Sequence, residues 1–268
     1  MMIHKTTPSA TGRLLHAVGA GAALFLFFTA AAVAEAPPGS EAEVQGQNLA
    51  RQLLDQAPAT NFIQTGVLRI KPAKTSPIHF TLRCEGIVTG TNWSNVYHLT
   101  VPAPGDLRAT AVNAGESAVL GIGHFKNQPN RYVFQEGARP GLELKGGDAF
   151  VPFGNSDFWL CDLGLEFLHW PQQKILKREF KRNCGCAVLE STNPHPTPGS
   201  YSRVVAWIDN ESGGIVQAEA YDANHQLLKE FAPKSFKKVD GQWELQEMEI
   251  RNVQTGSRTG LKLDLQKP

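Results

Sequence analysis

What this chain lacks narrows its function first. Its charges cancel, with 26 Lys and Arg against 25 Asp and Glu for a net charge of +1, and no basic run is interleaved with aromatics. A nucleic-acid partner is therefore disfavoured, because phosphate backbones are bound through concentrated positive charge. The histidines beyond residue 36, His79, His98, His124, His169, His195 and His225, lie far apart, without H-E-x-x-H or comparable metal spacing. "AGESAVLG" at 114–121 misses the last position of a nucleophile elbow, and "GIGHFK" supplies two glycines of a dinucleotide fingerprint but not the third. Neither a cofactor nor a catalytic constellation is expected. Beyond one N-terminal run there is no second hydrophobic span, no heptad pattern and no repeat of fixed period.

That N-terminal run follows Lys5 and Arg13, extends over "AVGAGAALFLFFTAAAVA" from Ala17 to Ala34, and ends in small residues at Ala32-Val33-Ala34. This is the order of parts in a secretory signal peptide. A retained anchor would need ~20 apolar residues, and the many alanines and glycines favour cleavage instead. Residues 1–36 are expected to be a signal peptide and short linker, and 37–268 a single exported domain. No cysteine stands near the cut, so an acylated lipoprotein terminus is excluded.

The exported part opens with a helix: Ser40 and Glu43 fit a capping box, Leu49, Leu53, Leu54 and Ala57 share one side, and Pro58 ends it. Strand signals follow, bounded by Gly, Pro or Asn: "FIQTGVLRI", "IHFTLRCEGIV", "WSNVYHLTV", "LRATAV", "RYVFQ" and "LELK". "NSDFWLCDLGLEFLHW" then reads as a second helix, capped by Asn155 or Ser156 and stopped by Pro171. It is apolar on almost every side, so it must be covered on several sides and is inserted, not laid on a surface. After it come "KILKREF", "CGCAVLE", "YSRVVAWID", "IVQAEAYD", "QLLKEF", "SFKKV" and "RTGLKLDL", the last with Leu261, Leu263 and Leu265 on one face. The pattern is a meander with a one-sided sheet.

"DGQWELQEMEIRN" at 240–252 poses a sharper choice. Glu244, Glu247 and Glu249 suggest acid–base chemistry, yet Trp243 and Leu245 share one parity while Met248 and Ile250 share the other. A β-bulge at Gln246-Glu247 would bring all four to one side and leave the glutamates mainly in solvent. Asp240-Gly241 is a hairpin turn on this reading. In "IVQAEAYD", Val216, Ala218 and Ala220 share a face of small residues that leaves volume inside the sheet. A simple packed core is the plainer alternative.

Four cysteines, Cys84, Cys161, Cys184 and Cys186, would meet an oxidising environment. Cys184 and Cys186 point the same way in a strand and would bridge only under strain, so pairing of either with Cys161 or Cys84 is easier. A bridge from Cys161 to Cys184 or Cys186, tethering the second helix to the next hairpin, is the favoured expectation. A thiolate metal site with His195 or His169 is less favoured, because no second C-x₂-C pair completes it.

The carboxy-terminal third, through Trp207-Ile208-Asp209, Tyr221-Asp222, Asp240-Gly241 with Trp243, Met248 and Thr255-Gly256, resembles the outer-membrane lipoprotein-sorting proteins of the LolA-like superfamily, within its larger uncharacterised bacterial branch. "FGNSDFWLCDL" extends the resemblance, which is good over 153–265 and weak before. It implies a mainly β fold: a strongly curved, unclosed antiparallel β-barrel plugged by helices around a hydrophobic cavity. It further implies a periplasmic, monomeric carrier that binds lipid or the acyl chains of lipoproteins and meets the membrane sorting machinery. The wall of such a cavity would comprise Phe158, Leu163, Phe167, Val205, Trp207, Met248, Ile250 and Leu263. Carriers of this family use a lid-contacting arginine, for which Arg69 and Arg83 are both candidates. An envelope sensor or protein-docking module on the same fold is the alternative, since fold does not fix ligand.

Overall fold

The computed structural model describes residues 39–101, 118–239 and 242–265, with side chains described except at Gly146, Gln242 and Trp243. The signal-peptide segment, the strand expected over 107–112 and the Asp240-Gly241 turn lie outside the described residues.

Helix α1 spans Glu41–Leu54, and its capping box forms as expected: Ser40 N donates to Glu43 Oε2 at 2.7 Å and Glu43 N to Ser40 Oγ at 3.4 Å. Six strands follow: β1 (Phe62–Lys71), β2 (Ile78–Thr89), β3 (Asn92–Thr100), β4 (Ala118–His124), β5 (Arg131–Glu136) and β6 (Leu142–Leu144). Seven more come after the helical insertion: β7 (Gln172–Lys181), β8 (Cys184–Thr192), β9 (Arg203–Asp209), β10 (Ile215–Tyr221), β11 (Leu227–Val239), β12 (Gln242–Asn252) and β13 (Arg258–Leu263). All thirteen join one sheet in the order β6-β5-β4-β3-β2-β1-β13-β12-β11-β10-β9-β8-β7. Each half is a meander, and the two halves meet where β1 pairs antiparallel with β13. The sheet is curved and unclosed, with β6 and β7 at opposite ends. Those two strands are consecutive in the chain, so residues 145–171 must pass from one edge to the other. That crossing is the plug.

The meander thus agrees with the sequence reading, and the sheet is one-sided at β1 and β2 but buried on both faces at β8 and β9. Two strands also differ. β4 is not among the strands expected from the sequence, where "AVLGIGH" matches only parts of a nucleophile and a dinucleotide motif, yet its Leu120 and Ile122 are core residues. "QLLKEF" and "SFKKV" are one strand, β11, because a bulge at Lys234 carries it past Pro233.

The second helix is the larger correction. Only Leu160–Leu163 is α-helical (α2), followed by a 3₁₀ turn at Glu166–His169, with Leu165 in the left-handed region at φ 48°. Asn155 and Ser156 do not cap it. Instead Trp159 N donates to the Asp162 carboxylate at 2.8 Å, which starts the turn three or four residues later than expected. The helix stops because side chains at the start of β5 and just before it hold the segment: Asn130 Nδ2 donates to the Gly164 backbone O at 2.7 Å, and Tyr132 Oη donates to the Glu166 carboxylate at 2.8 Å. Gly164 is needed there, since a Cβ would lie 2.2 Å from the Tyr132 oxygen. Further on, Gln173 Nε2 donates to Phe167 O at 2.9 Å and Trp170 O at 2.8 Å, while its Oε1 accepts from Ser191 Oγ at 2.6 Å. The plug is short and broken, and polar side chains of the sheet hold its backbone.

Candidate functional site

Between the plug and the concave face of β9–β12 lies a cavity of about 360 Å³. Leu53 of α1, Leu163 of α2 and Phe167 of the 3₁₀ turn close it on one side, and Val204, Ala218, Ala220, Phe231, Met248 and Ile250 form the sheet wall. Its volume falls in the roughly 300–1,000 Å³ range typical of small-molecule sites, and most of its surface is hydrocarbon.

Two bulges aim this wall. In β12, Ser235 pairs with Glu247 and the adjacent Phe236 with Leu245, so Gln246 is the extra residue. The bulge stands where the alternation had demanded one, and Leu245, Met248 and Ile250 all line the cavity. Glu247 and Glu249 fall between them and Glu244 precedes Leu245; all three are at intermediate exposure instead of mainly in solvent, and Glu249 pairs with Lys234 at 2.9 Å. In β10 the register against β9 shifts between Ile215 and Gln217. Val216 is thereby turned to the convex face, leaving Ile215 with Ala218 and Ala220 on the cavity side.

Of the eight expected wall residues, the structure brings Phe158, Leu163, Phe167, Met248 and Ile250 together around the cavity. Leu263 packs against the same core without lining it. Val205 and Trp207 face the other way. Val204 and Ala206 pair with Ala220 and Ala218 and so share the inner face, which sends Val205 and Trp207 to a convex-side cluster with Cys186, Val188 and Val216. There Trp207 Nε1 donates to Glu179 Oε1 at 2.6 Å, and Lys181 covers the ring at 4.5 Å. The choice of parity failed because β9 is buried on both faces, so its apolar run carries no alternation.

The same geometry corrects the disulfide. All four cysteines are free, with Cys161 in the inner core and Cys184 and Cys186 in the convex cluster, so the sheet stands between the expected partners. Arg69 and Arg83 are also exposed, on the face opposite Leu68 and Leu82, and Arg83 pairs with Glu85 at 2.7 Å. Neither lines the cavity.

One end of the cavity is polar, and the sequence reading did not find it. Lys229, 2% exposed, donates from Nζ to Asp157 O at 2.7 Å and approaches Asp162 Oδ2 at 3.4 Å. Tyr201 Oη donates to Asp162 Oδ1 at 3.0 Å. Burial lowers the Lys229 pKa, the Asp162 carboxylate partly offsetting it, and burial also holds the Tyr201 phenol well above its ordinary value. The signal was present: Lys229 shares the parity of Phe231, an apolar position on β11. Asp157 in turn accepts from Ser257 Oγ at 2.5 Å and Thr259 Oγ1 at 2.8 Å, tying the plug to β13. These bonds occupy the polar atoms of the site, so the group orders the cavity's end. Among the described residues no three His, Cys, Asp or Glu side chains are grouped to hold a metal ion.

A family model described as an uncharacterized protein matches residues 115–266, more than half of the chain. No curated protein sequence matches it. Three solved structures share the architecture. A putative outer membrane lipoprotein-sorting protein domain from Vibrio parahaemolyticus has a TM-score of 0.65 at 20% identity, covering 83% of this chain and 92% of its own. A DUF1329 family protein from Desulfovibrio piger has a TM-score of 0.64 at 19% identity, covering 83% and 91%. A LolA superfamily protein from Nitrosomonas europaea has a TM-score of 0.56 at 14% identity, covering 82% and 91%. The fold is thus LolA-like, as the sequence resemblance implied. The chain belongs to the uncharacterized-protein family whose model spans its second half.

Proposed function

We propose that this protein is a periplasmic carrier that shelters the acyl chains of a lipid or lipoprotein in the cavity beneath the plug, without covalent chemistry. The observation that carries this reading is the cavity itself: about 360 Å³, walled by Ala218, Ala220, Met248 and Phe167, where a packed core would have larger side chains. Sheltering an acyl chain is favourable by about 0.8 kcal/mol per CH₂, and the broken plug is the element that must move to admit one. The N-terminal segment supports export, and the Vibrio parahaemolyticus neighbour, described as a putative lipoprotein-sorting domain, supports the ligand class.

Native mass spectrometry of gently extracted protein, followed by titration with a fluorescent fatty-acid analogue, tests the reading. Co-purified lipid and saturable uptake are expected. Folded protein that arrives ligand-free and ignores the analogue would overturn it and favour a docking module on the same fold. Amino-terminal sequencing of envelope-fraction material checks the location; an intact Met1 would contradict export with cleavage.

A further inference from the structure

The hairpin of β7 and β8 carries a feature that the cavity does not use. Phe180 is 84% exposed, above every other exposed large hydrophobic among the described residues, and Leu176 on the same strand is 43% exposed. The tip carries four cations beside one acid, Glu179: Arg178 shares the face of Phe180, Arg182 sits in the turn, and Lys177 and Lys181 lie on the opposite face. The whole chain has a net charge of +1, so this concentration of cations is local. The turn is tight, with Arg182 and Asn183 both left-handed at φ 50° and 64°, and it projects the group at a sheet end.

Cations on an edge strand often serve only to prevent edge-to-edge pairing. That accounts for the lysines but not for Phe180, because an exposed aromatic on a free edge invites the association that lysines oppose. The other half of β7 is already covered: α1 crosses it so closely that a Cβ on Gly46 would lie 2.5 Å from Lys174 N. Only the tip is bare. Arg178 Nη1 bonds Asn210 at 3.3 Å and Arg182 Nη1 bonds Pro233 O at 2.9 Å, which leaves most of each guanidinium free, while Lys177 pairs with Glu179 at 2.8 Å and Lys181 lies over Trp207.

We propose that the β7–β8 tip seats the protein on an anionic membrane surface, with Phe180 at the boundary between headgroups and acyl chains and Lys177, Arg178, Lys181 and Arg182 on lipid phosphates. An aromatic at a hairpin tip with basic side chains on both faces matches such an interface on both counts, since hydrocarbon lies just beneath a layer of negative charge. The proposal goes beyond the carrier reading and does not depend on it.

Co-sedimentation with phosphatidylcholine vesicles, with and without phosphatidylglycerol, tests it. Binding is expected only with phosphatidylglycerol and should weaken as salt screens the charges. Phe180→Ser should lower it, and Lys177→Gln or Lys181→Gln should each lower it by roughly fivefold. Fatty-acid uptake by the same variants should match the unaltered protein, which also reports that they fold. Absence of uptake by the unaltered protein with vesicle binding intact would count against the carrier alone. Equal binding to both vesicle types, unchanged binding by the Gln variants, or capture of polyglutamate without vesicle binding would each overturn the membrane assignment.

Discussion

The Lys229 ammonium lies 3.4 Å from the centroid of the Trp159 ring, with Asp157 O and Asp162 taking its other directions. A charge this deep is tolerated only because the ring, a carbonyl and a carboxylate replace its water. Lys229→Met keeps much of the stem's volume but leaves Asp162 without its cation. Loss of one partner of a buried pair costs about 3 kcal/mol or more, so urea unfolding should show a loss of unfolding free energy of that size. A variant as stable as the unaltered protein would mean that the pair contributes nothing net.

Glu166 gives a pH dependence. Burial raises its pKa above the ordinary 4.5, while bonds from Tyr132 and Asn130 partly restore the charged form. A raised folded pKa means that the native state holds the proton more tightly than the unfolded chain. The group's contribution to stability is present below pH 4.5 and is lost as pH rises through the folded value. Glu166→Gln keeps an acceptor for Tyr132 and removes the charge. It should therefore stabilise the protein at neutral pH and lose that advantage toward pH 4.5. Denaturation curves at both pH values check the sign.

These polar contacts mark the limit of what could be read from the sequence. Alternation was informative where one face is buried, so the meander, the capping box at Ser40 and the bulge at Gln246 were visible in residue order. It was silent where both faces are buried, which is why Val205 and Trp207 were put on the wrong side, and it was misleading at Val216, where a bulge reverses the parity. The break in the second helix was hidden for another reason. The side chains that stop it, Asn130 and Tyr132, are more than thirty residues away in the chain, and local propensity contains no term for them. Lys229 stood in plain view on an apolar parity, but its partners come from the plug.

Gly46 sets two effects against each other. On an isolated helix Gly→Ala gains about 1 kcal/mol. Here the added Cβ would meet Lys174 N at 2.5 Å and Gln173 C at 2.7 Å, both backbone atoms that cannot rotate away. Overpacking of this kind costs roughly 1–3 kcal/mol, and α1 must lift from β7 to relieve it. Gly46→Ala should therefore lower the thermal midpoint despite its better helix propensity, and hydrogen exchange should rise along α1. A higher midpoint with unchanged exchange would show that the helix shifts without cost.

Ala218 separates an open cavity from a packed core. It is buried, lines the cavity opposite Phe167, and pairs on β9 with Ala206, so a larger side chain there would project into the empty volume. If that volume admits acyl chains, Ala218→Phe fills it from within. Uptake of a fluorescent fatty-acid analogue should then fall by at least roughly tenfold, while the thermal midpoint holds or rises, because a cavity that closes regains dispersion contacts. If the interior were close-packed, the same change would force its neighbours off their rotamers and destabilise by about 1–3 kcal/mol. Val205→Phe on the convex face is the control: it disturbs the second cluster and should leave uptake unchanged. A stable Ala218→Phe protein that still binds the analogue as before would move the ligand site elsewhere in the barrel.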